Sequence, residues 1–237
     1  MTERNKLRPR CGDSRCEDNL HCYHQARSRS QRKTQSGSAS SRSSGGGQST
    51  SGGTAGAGEF PSGSCQSCGA KLVPWERVQK RDLLDAAHTF QQLKTELIRH
   101  HEFHAPLHQH AINYARRKGR KQLRAKIADH LRTAIGPAEP YLDGWQTHYP
   151  NADNPQGMDI IHSAQHATAC CCRNCAERWH ALPQGRDLTE EELAYLTDLA
   201  MLFVGDRLPD LAVGPTQVPP IRKSANGRRV PRQKQSG

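Results

Sequence analysis

Apolar residues recur at three- and four-residue steps from Val78 to Phe103, a spacing that places them on one face of an α-helix. The positions on this face are Leu83, Ala87, Phe90, Leu93 and Leu97. The pattern stops before Pro106, a residue that suits the first turn of a following helix. We therefore predict one long amphipathic helix over residues 78–103.

Two more stretches show helical spacing. One covers residues 107–118 and resumes after Gly119. The apolar positions of the resumed part are Leu123, Ile127 and Leu131. The other follows a capping box formed by Thr189 and Glu192, and its apolar face ends at Gly205.

Residues 138–160 separate these helices and are rich in Pro, Gly, Asn and Asp. This composition predicts a long ordered loop, with a short strand near residues 158–161. The pattern as a whole predicts a mainly α fold, a small helical domain with a long ordered loop.

Composition divides the chain into one domain and two tails. Residues 36–64 are mostly Ser, Gly, Thr and Ala, and the residues from 214 onward are mostly Pro, Arg, Lys, Gln and Ser. Such segments bury too little apolar surface to offset their chain entropy. We therefore expect a disordered Arg/Ser/Gly-rich tail over residues 1–64, a helical domain over 65–212 and a disordered basic tail over 213–237.

The formal net charge of +11 belongs to the tails, because residues 65–212 hold 18 Lys/Arg and 18 Asp/Glu. Basic tails attract nucleic acid weakly, or they serve only solubility. No run approaches the about 20 apolar residues of a membrane span, and no apolar signal-peptide core is seen. We expect a cytoplasmic protein without a membrane partner, where clustered cysteines indicate metal rather than disulfides.

Two Cys-x-x-Cys pairs are the strongest chemical signal. Cys65 and Cys68 are followed by Gly69, which permits the tight turn of a zinc knuckle. Cys172 and Cys175 open a helix-like stretch whose N-terminus stabilises thiolate charge. We expect these four cysteines to form one tetrahedral zinc site of the treble-clef or knuckle type.

The second pair has other candidate ligands nearby. Cys171, His166 and His180 flank it, so a zinc site built with Cys172 and Cys175 is complete without the first pair. Three adjacent thiols at 170–172 cannot all face one ion, and at least one is expected to be buried as a small apolar group. A redox-sensing thiol cluster is a further alternative.

The remaining cysteines lie in the N-terminal tail with two histidines, at Cys11, Cys16, Cys22, His21 and His24. Their spacing matches no zinc pattern, and we assign them to the disordered tail.

Histidines at 100, 101, 104, 108 and 110 form a dense cluster. His100 and His104 lie one helical turn apart, so their imidazoles share a face. Together with His166 they are candidates for a catalytic metal or acid/base centre. The alternative is a solvated run of histidines at a helix end.

A basic stripe on the second helix is the candidate nucleic-acid-binding surface. Arg117, Arg120, Lys121 and Arg124 fall within an arc of about 100° on a helix. No aromatic residues interleave to stack on bases, and ordinary exposed helices carry similar stripes.

One segment of the chain resembles a known family. Residues 165–175 read Gln-His-Ala-Thr-Ala-Cys-Cys-Cys-Arg-Asn-Cys, followed by Trp179-His180 and by Leu-Thr-Glu-Glu-Glu at 188–192. This segment resembles an uncharacterised bacterial family, one of the numbered domains of unknown function. The resemblance gives functional weight to Gln146, Gln165, His166, Thr168, Cys171, Cys172, Cys175, Trp179 and His180. Cys170 and Gln184 depart from the family's Thr and Lys, and no reaction comes with the resemblance.

Two functions fit these observations. The first is a zinc-binding module of unknown biochemical activity that contacts nucleic acid or another protein. The alternative is a metal-dependent, nuclease-like hydrolase that uses the histidine cluster. The Asp-His pair that histidine-metal nucleases need near the first Cys pair is missing, which favours the binding module.

Overall fold

The structure is a computed structural model that describes residues 15–23, 61, 63–141, 143–144 and 159–218 of the 237-residue chain. Within these ranges the regular secondary structure is helical, and no β-strand is found. The helices are α1 (Trp75–Val78), α2 (Ala86–Leu93), α3 (Leu97–His104), α4 (Gln109–Ala134), α5 (Ile160–Ala167), α6 (Arg173–His180) and α7 (Glu190–Arg207), with 3-10 turns at Cys16–Asp18 and Leu83–Asp85. The predicted mainly α class is confirmed.

The single helix predicted over residues 78–103 is wrong, because the structure divides that stretch among α1, α2 and α3. The break before α3 has a long-range cause. The backbone N–H of His21 donates to the Thr95 carbonyl at 3.1 Å, and the N–H of Leu97 donates to the His21 carbonyl at 2.8 Å. Glu96 is extended as a result, and apolar spacing carries no information about such a pairing.

The other two helix predictions are confirmed. The second stretch forms α4, with a kink at Gly119. The third forms α7, in which Thr189 and Glu192 make both hydrogen bonds of the capping box. The strand predicted near residues 158–161 is wrong, because Asp159 caps α5 and Ile160 begins it. Residues 145–158 of the predicted loop lie outside the described residues.

The core lies where α4, α5 and α2 pack against α7. Leu123, Ile127 and Leu131 of α4 are fully buried, as the apolar spacing predicts. Phe103 of α3 stacks edge-to-face on Phe90 and Phe203, with ring centroids 5.4 and 5.7 Å apart. These contacts hold α2, α3, α4, α5 and α7 together in one core.

Residues 15–23 pack on this domain, although the sequence analysis assigned them to a disordered tail. Tyr23 is 1% exposed and lies edge-to-face against Trp75 and Trp179, at centroid distances of 5.7 and 6.1 Å. Arg178 of α6 donates to the Tyr23 carbonyl at 2.9 Å. Leu20 is also buried, so this short segment supplies apolar surface that its Arg/Ser-rich surroundings conceal.

The kink in α4 is covered by the C-terminal segment. Gly119 has φ 66° and ψ 168°, a region that only glycine adopts readily. The amides of Arg120 and Lys121 donate to the carbonyls of Ala212 and Val213, at 2.8 and 3.0 Å. Residues 213–218, which the sequence analysis placed in the basic tail, therefore begin against α4.

We expect Gly119→Ala to lower the free energy of unfolding by about 2 kcal/mol or more, through backbone strain and a clash. A Cβ at this position would lie 2.2 Å from the Gly214 carbonyl oxygen. Gly185→Ala is the matched control, because Gly185 has φ 80° and nothing within 4 Å of an added Cβ. Strain alone predicts about 1 kcal/mol there. Urea unfolding of both variants tests this, and equal losses would contradict the packing of residue 214 on the kink.

Candidate metal centres

The first candidate metal centre consists of Cys16, His21, Cys65 and Cys68, whose ligand atoms all lie within 4.8 Å of one another. Cys16 begins a 3-10 turn, and His21 lies on the segment that pairs with residue 96. Cys65 and Cys68 lie on the predicted knuckle. The centre thus joins two parts of the sequence that residues 24–60 separate.

The distances in this centre fit a tetrahedral ion. Cys16 Sγ lies 3.8 Å from Cys65 Sγ, and Cys68 Sγ lies 3.7 Å from His21 Nδ1. Zinc–sulfur and zinc–nitrogen bonds in a tetrahedron would set these separations at about 3.8 and about 3.6 Å. The side chains are therefore spaced as ligands of one ion.

The knuckle also supplies amides to its sulfur. Gly69 has φ 75°, and its amide donates to the Cys65 carbonyl at 2.9 Å, which closes the turn. The amide of Ser67 points at Cys65 Sγ from 3.5 Å. Burial raises the pKa of Cys65, but amide hydrogen bonds from Ser67, Cys68 and Cys22 and the His21 ring outweigh it and lower this pKa to about 6. The turn thus favours a thiolate, the form that binds metal.

His21 is buried without ordinary polar partners. Only 3% of His21 is exposed to solvent, and its Nε2 atom has no hydrogen-bond partner. Nδ1 faces the sulfur of Cys68. An ion in the centre would therefore bind Nδ1, the ring nitrogen that faces the cysteine sulfurs.

The second candidate centre consists of Cys171, Cys172 and Cys175. Cys172 is the N-cap of α6, and its sulfur accepts from the amide of Cys175 at 3.4 Å. Hydrogen bonds from Cys171 and Cys172 and the nearby Arg99 charge lower the pKa of Cys175 well below its usual value, against the opposing effect of burial. The same sharing raises the pKa of Cys171. Three close sulfurs, one of them favoured as a thiolate, suit a metal site, because the thiolate is the form that binds metal.

A buried ion pair lies beside this second centre. Arg99 and Glu96 are 2% and 1% exposed, and Arg99 Nε donates to Glu96 Oε2 at 2.6 Å. The same oxygen accepts from Trp179 Nε1 at 2.7 Å. Arg99 also donates to the carbonyl of His166. Since Glu96 pairs through its backbone with His21, one residue connects the surroundings of both centres.

The structure places the four predicted zinc cysteines in two groups rather than one. Cys65 and Cys68 lie with Cys16 and His21, whereas Cys172 and Cys175 lie with Cys171. Neither group assembles a treble clef from the knuckle and α6. Of the alternative ligands considered for the second Cys-x-x-Cys pair, the structure therefore places Cys171 with Cys172 and Cys175.

The other alternates have different positions. His180 is fully buried, with Nε2 2.9 Å from the Thr168 carbonyl and Nδ1 3.4 Å from the Tyr195 hydroxyl. Burial lowers the pKa of His180 to about 4, as suits a neutral core histidine. Cys170 is buried beside the Thr168 hydroxyl at 3.1 Å and has the apolar role expected for one of the adjacent thiols. His166 belongs to neither group within the described chain.

The predicted histidine centre is not assembled among the described residues. His100 and His104 stack on each other with ring centroids 3.9 Å apart, and His104 Nδ1 lies 2.8 Å from the His100 carbonyl. His166 joins neither of them in a group of close ligand atoms. Within the described ranges, the two cysteine-containing groups are the candidate metal centres with three or more ligands.

The four residues of the basic stripe differ in their contacts with the rest of the protein. Arg124 pairs with Asp198 of α7, and Arg120 Nη2 lies 3.5 Å from the Pro209 carbonyl. Arg117 and Lys121 are exposed. The kink at Gly119 separates Arg117 from the other three, so the four do not continue along one straight helix.

Sequence reasoning missed Cys16 and His21 as ligands. A signal was present, because Leu20 and Tyr23 are large apolar residues beside these potential ligands. Among the residues weighted by the family resemblance, Gln146 lies outside the described residues.

Comparison with models of known families shows to which family the chain belongs. A model of a domain of unknown function (DUF4186) matches residues 87–205, half of the chain. The chain belongs to this family. The DUF4186 match includes the second centre and begins after the knuckle, so the first centre lies outside it. No solved structure matches the chain. Within the described part of this DUF4186 protein, no helix has the length and apolarity to cross a bilayer.

Proposed function

We propose that this DUF4186 protein is a zinc-binding protein with two metal centres. One ion bound by Cys16, His21, Cys65 and Cys68 fastens the N-terminal segment to the helical domain. The observation that carries this proposal is the spacing of 3.8 and 3.7 Å between pairs of ligand atoms, which matches a tetrahedral ion. Three cysteines and one histidine are ligands that zinc favours.

The second ion is bound by Cys171, Cys172 and Cys175 at the start of α6. Zinc in structural sites takes four ligands. This ion therefore takes its fourth ligand from water, from a bound partner or from a residue outside the described set. A three-ligand site is the composition that leaves a coordination position for chemistry, and the family match contains it.

Partner binding remains a prediction from the sequence. Arg117 and Lys121 are the positions of the basic stripe at which nucleic acid would meet α4, because the third exposed member, Arg124, is paired with Asp198. Arg120 and Arg124 already contact the C-terminal segment and α7. Metal binding is therefore the function that the geometry supports best.

Cobalt substitution tests the two centres separately, because thiolate-bound cobalt absorbs strongly. We expect two thiolate-bound Co²⁺ per chain in the wild type, counted from their absorption, and one in each of His21→Ala and Cys171→Ser. Cys170→Ser is the matched control, because Cys170 is a buried thiol outside both groups. It should retain both ions. Two thiolate-bound ions in both centre variants, or no thiolate-bound cobalt in the wild type, would contradict the proposal.

A further inference from the structure

Two half-buried histidines that belong to neither cysteine centre face each other between α4 and α5. The rings of His130 and His162 lie 4.9 Å apart between centroids, at an interplanar angle of 76°. Both lie within the residues that match DUF4186. Their hydrogen bonds determine which nitrogen of each ring has its lone pair available.

His162 is oriented by a carboxylate. Its Nδ1 lies 2.9 Å from Asp159 Oδ1, an oxygen that also accepts from the amides of Ile161 and His162. Burial raises the pKa of Asp159, but the His162 ring and these amides outweigh it and hold this pKa below its ordinary value. An ionised carboxylate only accepts, so Nδ1 carries the proton and Nε2 presents a lone pair.

His130 is oriented by an amide that is itself fixed. Gln165 Nε2 donates to the Cys170 carbonyl at 3.3 Å, which leaves Gln165 Oε1 as an acceptor 3.0 Å from His130 Nε2. His130 therefore carries its proton on Nε2 and presents the lone pair of Nδ1. Burial and the neighbouring His162 lower the pKa of His130.

Two imidazoles, each with one nitrogen held by an acceptor, form the arrangement by which proteins orient histidine ligands of metals. Two imidazoles on one tetrahedral ion would have ring centroids about 5 Å apart, given nitrogen–metal bonds of about 2.0 Å. The observed separation is 4.9 Å. We propose that His130 and His162 bind a divalent transition-metal ion, whose other positions are filled by water or an anionic ligand.

This site is independent of the cysteine centres. Asp159 and Gln165 are positioning residues in it, because each acts on the metal only through a histidine. Gln165 is one of the positions that the family resemblance weights, and its hydrogen bonds to His130 and to residue 170 give that weight a physical reason. The sequence analysis did not identify His130, which lies within a run of basic residues on α4.

Calorimetric titration with Ni²⁺ tests the proposal, because imidazole ligands suit nickel. The titrated protein is the full chain, zinc-loaded and without an affinity tag. We expect one Ni²⁺ per chain in the wild type, and at least about tenfold weaker binding in His130→Gln and His162→Gln. Asp159→Asn should weaken binding by about tenfold or more while keeping the stoichiometry.

His104→Gln is the control, because His100 and His104 are another pair of neighbouring histidine rings, stacked on each other one helical turn apart. It should bind Ni²⁺ as the wild type does. Zinc content and circular dichroism confirm that each variant is folded. No Ni²⁺ binding by the wild type, unchanged binding by both His130→Gln and His162→Gln, or loss of binding only in His104→Gln would each overturn the proposal.

Discussion

Replacing Cys68 with serine should lower the free energy of unfolding by about 4 kcal/mol, the scale seen when a structural metal is lost. Cys68 is exposed, and an exposed substitution without a metal role changes stability by about 0.5 kcal/mol or less. The large effect is expected because the ion of the first centre fastens residues 15–23 to the domain. Its loss would leave Cys16 and the buried His21 without the ligand that holds them together.

Urea unfolding in zinc-containing buffer measures this effect. Ser67→Ala is the matched control, because Ser67 is exposed on the same knuckle and its amide remains. A metal chelator should bring the wild type down to the stability of chelator-treated Cys68→Ser, and it should lower the stability of the wild type by more than that of the variant. Equal stability of Cys68→Ser and the wild type, with no response to the chelator, would show that the first centre holds no structural ion.

Glu96→Gln should lower the free energy of unfolding by about 3–5 kcal/mol, because it leaves the buried Arg99 without its charged partner. Glu96 Oε2 accepts from both Arg99 and Trp179, and neither member of the ion pair reaches solvent to any extent. Glutamine keeps an acceptor for the indole but removes the charge. The loss is therefore specific to the ion pair.

Glu190→Gln is the control for this effect, since Glu190 pairs with Arg132 at 2.5 Å on the surface. Its carboxylate is 73% exposed, and an exposed pair contributes about 1 kcal/mol or less. Thermal and urea unfolding of both variants give the comparison. If both variants lost the same small amount of unfolding free energy, Glu96 and Arg99 would have to be hydrated in solution. The two centres would then not be connected by a buried ion pair.

The parts of the fold that follow from local signals could be predicted from the sequence. The capping box of Thr189 and Glu192 depends on residues three positions apart, and it fixes the start of α7. The four-residue spacing of Leu123, Ile127 and Leu131 likewise predicts the buried face of α4. Both signals depend on contacts within one helix.

The parts that depend on distant segments could not be predicted. The division between α2 and α3 results from the pairing of His21 with Glu96, which no helical period records. Cys16 and His21, which join Cys65 and Cys68 in the first centre, are separated from them in the sequence by a Ser/Gly-rich stretch. Both Cys-x-x-Cys pairs were recognisable as candidate metal-binding elements, but the spacing within each pair does not indicate whether the two pairs share an ion. Glu96 and Arg99 lie three positions apart in the sequence, and this spacing does not indicate that both side chains are buried.

Zinc K-edge X-ray absorption of the Cys171→Ser variant tests the central claim most directly, because the first centre should be the one cysteine centre that still holds zinc there. The expected coordination shell has three sulfurs at about 2.3 Å and one imidazole nitrogen at about 2.0 Å, from Cys16, Cys65, Cys68 and His21. A shell of four sulfurs would instead support one site shared by Cys65, Cys68, Cys172 and Cys175. That result, or the absence of bound zinc, would contradict the assignment of the first centre.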